Sequence, residues 1–235
     1  MYAAPPVIQT EIHATLPREL HNTEKYSAWV AERRAGKLHS FLEGPSFDRG
    51  GNLYCVDIPF GRIFRISPQG EWQVFAEYGG EPNGLKIHKD GRIFVADHKL
   101  GLLVFDPGTA KMEVVLNRPH HEGFKGLNDL VFANNGDLYF TDQGQSALED
   151  PTGPDGVALD DEGNLAIVHA GFGTVWVFSR LGEPLYRIKS CAGMRTTNVA
   201  YGGPDRKTLY ITEAEHGVIL KAQLPAPGKL MYSHM

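Results

Sequence analysis

Short runs of alternating apolar and polar residues, the period expected of β-strands, follow one another along most of the chain. One pattern recurs: an apolar strand, a polar turn that ends in glycine, and a strand rich in β-branched and aromatic residues that closes on a polar side chain. Asp, Asn and Gly supply the positive φ angles of tight turns, so each copy predicts a β-hairpin. The copies lie at 46–57, 85–97, 130–142 and 157–169, with a looser one at 199–213.

Two further strands follow most of these hairpins. Third strands are predicted at 62–66, 101–105, 174–178 and 218–222, and fourth strands at 72–75, 112–116 and 185–188. Four antiparallel strands in about forty residues form the blade of a β-propeller. No helical period separates the strands, which argues against a parallel α/β fold. The one predicted helix lies near Glu24–Arg34, and the alternating segment Val7–Ile12 is expected to complete the last blade.

The spacing of the turn glycines reveals a defect in this repeat. Gly51, Gly91, Gly136 and Gly163 are separated by 40, 45 and then 27 residues, and the polar segment 143–153 contains no third or fourth strand. The fold class predicted is therefore all-β: a propeller truncated to about four complete blades plus a half blade, as a five-bladed or distorted ring. We expect a single domain over 1–235, with the closing strand and helical segment in 1–40 and the blades in 41–235. An unpaired strand in a half blade exposes a sheet edge, which predicts self-association unless the edge is covered.

Composition narrows the function classes. Hydrophobic residues make up 42% and charged residues 22% of the 235 residues, as in ordinary globular proteins. The net charge of −5 without a basic block argues against nucleic acid as a partner. No apolar run is long enough to cross a bilayer, and the N-terminus lacks the pattern of a secretory signal. Two distant cysteines are typical of reduced thiols, so we expect a cytoplasmic protein without membrane partners.

The candidate functional residues lie just before the inner strand of each blade, where polar residues of different blades are expected to converge. The candidates are Glu43, Asn83, Asn128–Asp129, Asp155 and Asn198. Carboxylate and amide oxygens suit a hard divalent cation, for which Ca²⁺ is the first expectation and Zn²⁺ or Mg²⁺ are alternatives. The competing interpretation is that Asn-Gly and Asp-Gly pairs mark turns and nothing more. His120–His121 is expected to be a loop rather than a metal site.

Several short segments resemble motifs of one protein family and occur in the same order as in that family. They are Glu43-Gly44-Pro45-Ser46-Phe47-Asp48, Gly126-Leu127-Asn128-Asp129, Tyr139-Phe140-Thr141-Asp142, Pro154-Asp155-Gly156 and Thr196-Thr197-Asn198. The resemblance, from about Phe41 to Leu224, is to the SMP-30/gluconolactonase/LRE family of six-bladed propellers. It implies a central divalent cation held by Glu43, Asp155 and Asn128, with Asn128 also orienting the substrate.

The resemblance further implies a metal-dependent hydrolase that opens a lactone ring, with Asp155 or Asp129 as general base. The family pattern has a further blade after Asp150-Pro151-Thr152-Gly153, but here this segment joins directly to Pro154-Asp155-Gly156. One metal-binding Asn of the family is therefore missing, and Asn83 or Asn198 would have to substitute. A non-catalytic binding propeller or inactive remnant is the alternative, and a sugar dehydrogenase is a weaker third option because no cofactor signature is visible.

Overall fold

The computed structural model describes residues 4–33, 35–118, 122–142 and 153–235; the His120–His121 pair and the junction at 150–152 lie outside them. The described chain is built almost entirely of antiparallel sheets. It divides into two compact units. The first unit comprises 17–149 with Met231–Met235, and the second comprises Met1–Leu16 with Asp150–Leu230. None of the described helices is both long and apolar enough to cross a membrane.

The first unit begins with a short helix and continues with sheets of four, four and two strands. Helix α1 spans Ala28–Glu32, where the Ser27 hydroxyl accepts a 3.3 Å hydrogen bond from the Val30 N–H and caps the first turn. Blade 1 consists of β3 (Leu42–Phe47), β4 (Leu53–Asp57), β5 (Arg62–Ile66) and β6 (Trp72–Glu77). Blade 2 consists of β7 (Pro82–Ile87), β8 (Ile93–Asp97), β9 (Gly101–Phe105) and β10 (Met112–Leu116). The half blade consists of β11 (Leu127–Phe132) and β12 (Leu138–Asp142). Short 3₁₀ turns occupy Arg18–Leu20, Ile58–Phe60 and Tyr232–His234.

The second unit contains two sheets that are each finished by the N-terminal segment. Blade 3 consists of β13 (Gly153–Leu159), β14 (Leu165–Ala170), β15 (Thr174–Phe178) and β16 (Pro184–Lys189), to which β1 (Val7–Gln9) adds in parallel. Blade 4 consists of β17 (Thr196–Gly202), β18 (Thr208–Glu213) and β19 (Val218–Gln223), with β2 (Glu11–Thr15) as its fourth strand. The segment Val7–Ile12, predicted to complete the last blade, divides between two sheets: Val7–Gln9 adds to blade 3, and the chain from Glu11 onward completes blade 4. At the division, the buried Thr10 donates its N–H to the Lys189 carbonyl and accepts the Cys191 N–H on its hydroxyl.

The hairpin turns follow the sequence pattern. All four turn glycines, Gly51, Gly91, Gly136 and Gly163, have positive φ. A side chain at these φ values is strained, which is why glycine ends each of these turns. The predicted strands and the short helix are all present, and the half blade is confirmed as a two-stranded sheet among the described residues.

Within each unit, apolar side chains form separate cores between neighbouring blades. Blades 1 and 2 bury one cluster that includes Val56, Leu85 and Phe105. Blades 3 and 4 bury another around Ile188 and Leu209. A third cluster packs one face of the half blade against blade 2, with members at Phe94, Ala96, Leu102, Leu127 and Leu130. The half blade thus has one covered face.

Candidate active site

The candidate residues share a backbone irregularity. In every sheet the first strand loses register with the second at the place where a candidate lies. The breaks fall between Glu43 and Ser46, Pro82 and Gly84, Leu127 and Leu130, Pro154 and Val157, and Thr196 and Val199. A bulge re-aims a side chain out of the alternation of a regular strand, and bulges are common next to active sites. The polar residues are therefore held in special conformations at the start of each inner strand.

In the first unit, glycine lets neighbouring inner strands approach closely. A Cβ atom added at Gly84 would lie 2.7 Å from the Asp129 Cα and 2.8 Å from the Asn128 carbonyl oxygen. Such distances are shorter than real contacts allow, so the strand starts that carry Asn83 and Asn128 can meet only because residue 84 has no side chain. The strand start at Glu43 approaches that of Asn83 in the same way, through Gly44. Glu43, Asn83, Asn128 and Asp129 thus lie on three consecutive inner strands.

The second unit repeats the arrangement with Asp155 and Asn198. A Cβ at Gly156 would lie 2.5 Å from the Asn198 Cα, so the strand start of Asp155 packs directly on that of Asn198. Asn198 is buried, and its side-chain oxygen accepts the Val199 N–H at 2.8 Å. Asp155 is partly exposed. Of the predicted metal ligands, Glu43 and Asn128 therefore belong to the first unit and Asp155 to the second.

The acidic candidates differ in their surroundings. Glu43 is only 4% exposed, and one of its oxygens accepts the Gly44 N–H at 2.9 Å. Asp129 is half-buried; one of its oxygens accepts the Leu130 N–H at 2.8 Å and lies 3.7 Å from the Lys86 ammonium. A buried carboxylate is costly unless it is hydrogen-bonded or paired with a cation, so these carboxylates are held in place by defined contacts.

The donor set is compatible with a hard cation. A carboxylate offers about four acceptor positions, and the hydrogen bond from Gly44 occupies one of those on Glu43. Asn83 and Asn128 lie near the starts of the next two inner strands of the same unit, and each offers a side-chain amide oxygen. Oxygen ligands of this kind suit Ca²⁺ or Mg²⁺ better than Zn²⁺, which prefers Cys and His.

A second set of carboxylates at the ends of the second strands has a structural role. Asp57, Asp97, Asp142 and Glu213 each accept backbone N–H groups of nearby turns. His169 occupies the corresponding place in blade 3 and lies against the Phe172 ring. Within the described residues, Glu213 also lies near Glu215 and His216 in a possible ligand cluster. The backbone hydrogen bonds account for Glu213 as the anchor of its turn, so this cluster needs no metal to explain it.

One buried pair near the site was not foreseen from the sequence. Arg33 follows α1 and is almost fully buried, with a guanidinium nitrogen 3.2 Å from the His98 Nε2. Burial lowers the pKa of His98, and the Arg33 charge lowers it further. Because a guanidinium can only donate, the His98 Nε2 is the acceptor of this hydrogen bond. A Cβ at Gly126 would lie 2.2 Å from the His98 ring, which places this pair beside the strand start of Asn128. No spacing rule connects residues 33 and 98, and the pair emerges only from the fold.

One surface cavity of the first unit lies apart from these strand starts. Its volume is about 390 Å³, and Tyr26, Val30, Leu38 and Phe60 are among the residues that line it beside α1. None of the candidate residues lines this cavity. The candidate polar residues thus lie at the strand starts and outside this cavity.

Comparison with known proteins identifies the family. The model of the SMP-30/gluconolactonase/LRE-like region matches residues 41–153 and 146–215. The chain belongs to this family. The two matched segments meet at 146–153, the place where the repeat spacing predicts a missing segment.

The names of individual similar proteins are consistent with this family assignment. The chain is 34% identical over 111 residues to the lactonase drp35 of Staphylococcus aureus strain MW2, a match that covers 43% of this chain and 33% of that protein. This chain therefore spans about a third of the length of the lactonases it matches in sequence. A regucalcin from Agrobacterium tumefaciens, described as a calcium-binding protein, has a TM-score of 0.66 at 16% identity, covering 99% of this chain and all of that one. A gluconolactonase from Xanthomonas campestris has a TM-score of 0.67 at 16% identity, covering 96% and 99%. These structural matches confirm the propeller fold.

Proposed function

We propose that this family member hydrolyses a lactone, opening the ring to a hydroxy acid. The observation that carries the proposal is the set of register breaks: the family's polar residues stand at the strand starts, each in a backbone irregularity that aims its side chain. The relatives named lactonase and gluconolactonase support the reaction class. We also propose that the blades form a single propeller domain over 1–235, with no nucleic acid or membrane partner and a cytoplasmic location.

A divalent cation, Ca²⁺ first, would be held by Glu43, Asn128 and Asp155. When bound, it would polarise the lactone carbonyl and acidify a water molecule. Asn83 or Asn198 would supply an amide oxygen in place of the ligand that the missing segment removes. The burial of Glu43 supports its role, because a buried carboxylate gains most from a neighbouring cation.

The protein groups would move one proton and hold the substrate. Asp155 or Asp129 would accept a proton from the water as its oxygen bonds to the carbonyl carbon. Collapse of the tetrahedral centre then breaks the ring C–O bond, and the departing alkoxide takes the proton back from that carboxyl group to become the hydroxyl of the product. Asn128 would orient the lactone by a hydrogen bond from its side-chain amide. The Lys86 ammonium lies 3.7 Å from an Asp129 oxygen and would hold that carboxylate in position.

The test is the rate of lactone opening by chelator-treated protein supplied with Ca²⁺, followed as acid release in a pH-stat. Glucono-δ-lactone, an aliphatic lactone and an aromatic lactone would serve as probes. Asp155→Asn and Asp129→Asn are expected to reduce the rate by about 10²- to 10⁴-fold for whichever residue is the base. Asp161→Asn, which alters only an exposed ion pair with Arg206, is the matched control and should leave the rate unchanged.

Two results would contradict the proposal in different ways. Full activity in a folded Asp155→Asn variant would remove Asp155 from the mechanism, and the same holds for Asp129. No turnover of any probe by the folded wild-type chain would instead favour the binding propeller or inactive remnant.

A further inference from the structure

The half blade contains an interior strand without the neighbour that such a strand has elsewhere in the chain. In blades 1 and 2 the second strand lies between two others, β4 between β3 and β5 and β8 between β7 and β9. In the described residues β12 pairs with β11 alone. Its sequence, Leu-Tyr-Phe-Thr-Asp, nevertheless matches the interior type, since β4 reads Leu-Tyr-Cys-Val-Asp and β8 reads Ile-Phe-Val-Ala-Asp.

On its outer edge, β12 presents backbone groups that no other described strand pairs. The hairpin is closed by the Ala133 N–H, which donates to the Asp137 carbonyl at 2.8 Å. Alternation along an antiparallel strand then directs the backbone groups of Leu138, Phe140 and Asp142 away from β11. A row of this kind is a template for pairing with another strand.

The outer edges of blades 1 and 2 carry features that oppose pairing, and the fourth strand of blade 3 is covered. Strand β10 is interrupted by a register shift between Val114 and Leu116 and bears a Lys111–Glu113 ion pair. Strand β6 has a register shift of its own and ends at Glu77, which pairs with Lys25. The outer edge of blade 3 is covered by β1. Strand β12 has no proline and no lysine, and its one charge, Asp142, accepts the N–H groups of Lys125 and Gly126.

From these observations we infer that β12 is a dimer interface, which pairs antiparallel with β12 of a second copy of this chain. Two half blades then make one sheet in the order β11-β12-β12-β11, with the four strands that every complete blade has. The register centred on Phe140 is self-complementary, as a two-fold interface requires. It places Phe140 opposite Phe140 and Leu138 opposite Asp142, and forms about six backbone hydrogen bonds from the outward groups.

The side chains fit this pairing. Tyr139 is 60% exposed, and in this register it lies opposite Thr141 of the second copy. The two tyrosines are diagonal neighbours, within reach of each other's rings. No like charges face each other across the interface. The inference does not depend on the proposed hydrolase activity.

The test measures the mass of the full-length protein by light scattering and sedimentation across a wide concentration range. A concentration-dependent dimer is expected. Tyr139→Lys places two lysines diagonally across the interface and should weaken the dimer by at least about tenfold in Kd. Val115→Lys, which puts the same charge on the outer edge of β10 at a residue of similar exposure, is the matched control and should leave the dimer intact.

Cross-linking tests the register independently of dimer strength. In a Cys191→Ser background, Tyr139→Cys and Thr141→Cys should form an intermolecular disulfide when mixed, and far less when each is oxidised alone, because the two positions face each other only across copies. A monomer at every concentration would overturn the inference. So would a dimer weakened by Val115→Lys rather than Tyr139→Lys. Slow amide exchange at Leu138 and Phe140 in a strict monomer would show that the chain itself covers this edge.

Discussion

Strands β8 and β12 occupy the same position in their sheets and have similar sequences, yet one is fully buried and the other is mostly exposed. All five residues of β8 are buried, whereas β12 has none in that class. Phe94 of β8 is 9% exposed, and its counterpart Tyr139 is 60% exposed. The described neighbours differ: β8 pairs with strands on both sides and packs in clusters with blade 1 and with the half blade, whereas β12 pairs with β11 and packs against blade 2. A sequence suited to burial therefore does not by itself ensure burial.

The carboxylates at the ends of equivalent strands also differ in burial. In blade 1, Asp57 is fully buried; one oxygen accepts the Phe41 N–H at 2.7 Å and the other lies 2.6 Å from the Arg62 guanidinium. Burial raises the pKa of Asp57 to about 6, although Arg62 acts to lower it. In the half blade, Asp142 binds the Lys125 and Gly126 N–H groups but remains exposed. Equivalent carboxylates thus accept backbone N–H groups in both a buried and an exposed environment.

The largest expected effect is the loss of the buried partner in blade 1. Asp57→Ala leaves the Arg62 charge buried without its carboxylate and should lower the free energy of unfolding by about 3–5 kcal/mol. Asp142→Ala should cost about 1 kcal/mol, the value of exposed hydrogen bonds. Urea unfolding of both variants measures the difference.

A double variant controls for the buried charge. Asp57→Ala combined with Arg62→Met should be more stable than Asp57→Ala alone, because the isolated charge is gone. Equal losses for Asp57→Ala and Asp142→Ala would contradict the contrast between the complete and the half blade.

An intermediate effect is expected from the aromatic pair. Phe94→Ala removes a ring from the cluster between blade 2 and the half blade and should cost about 3 kcal/mol. Tyr139→Ala changes an exposed ring and should alter stability by less than about 0.5 kcal/mol in the monomer. Thermal or urea unfolding at low protein concentration checks both values, and a large loss for Tyr139→Ala in the monomer would show that this face is covered within the chain.

The smallest effect concerns the hairpin turn of blade 2. Burial acts to raise the pKa of Asp90, but hydrogen bonds from the Arg92 N–H and from the His88 and Arg92 side chains lower it to about 2. The folded state therefore favours the ionised form, so this contribution is present above about pH 4 and is lost as the pH falls toward 2. Asp90→Asn should flatten stability over this range by less than about 1 kcal/mol, because the side chain is partly solvated. An unchanged acid profile would contradict the assignment.

The sequence predicted the blades because each blade is a local repeat. Turn glycines and strand alternation are short-range features, and they located every hairpin as well as the half blade. The N-terminal strand was harder, since Val7–Ile12 reads as one alternating run although the chain changes sheets at Thr10. Alternation reports which residues face a core and carries no information about which strand is the partner.

The residue types of the site could be predicted from the sequence, but the contacts that hold those residues in place could not. Polar residues before each inner strand marked Glu43, Asn128 and Asp155. Their bulges, and the close approach at Gly84 and Gly156, depend on contacts between blades that no local pattern encodes. Neither Lys86 beside Asp129 nor the Arg33–His98 pair had a local signal, because a lysine in the alternating strand β7 is ordinary and no spacing rule joins residues 33 and 98.

The most direct test of the account is calorimetric titration of Ca²⁺ into chelator-treated protein, with lactone hydrolysis measured on the same sample. We expect binding that restores hydrolysis, a loss of at least about tenfold in affinity in Glu43→Gln, and no change in Glu113→Gln, which alters an exposed carboxylate on β10. A folded protein that neither binds the cation nor opens any lactone would contradict it, and would mean that the fold persists without the chemistry of its relatives.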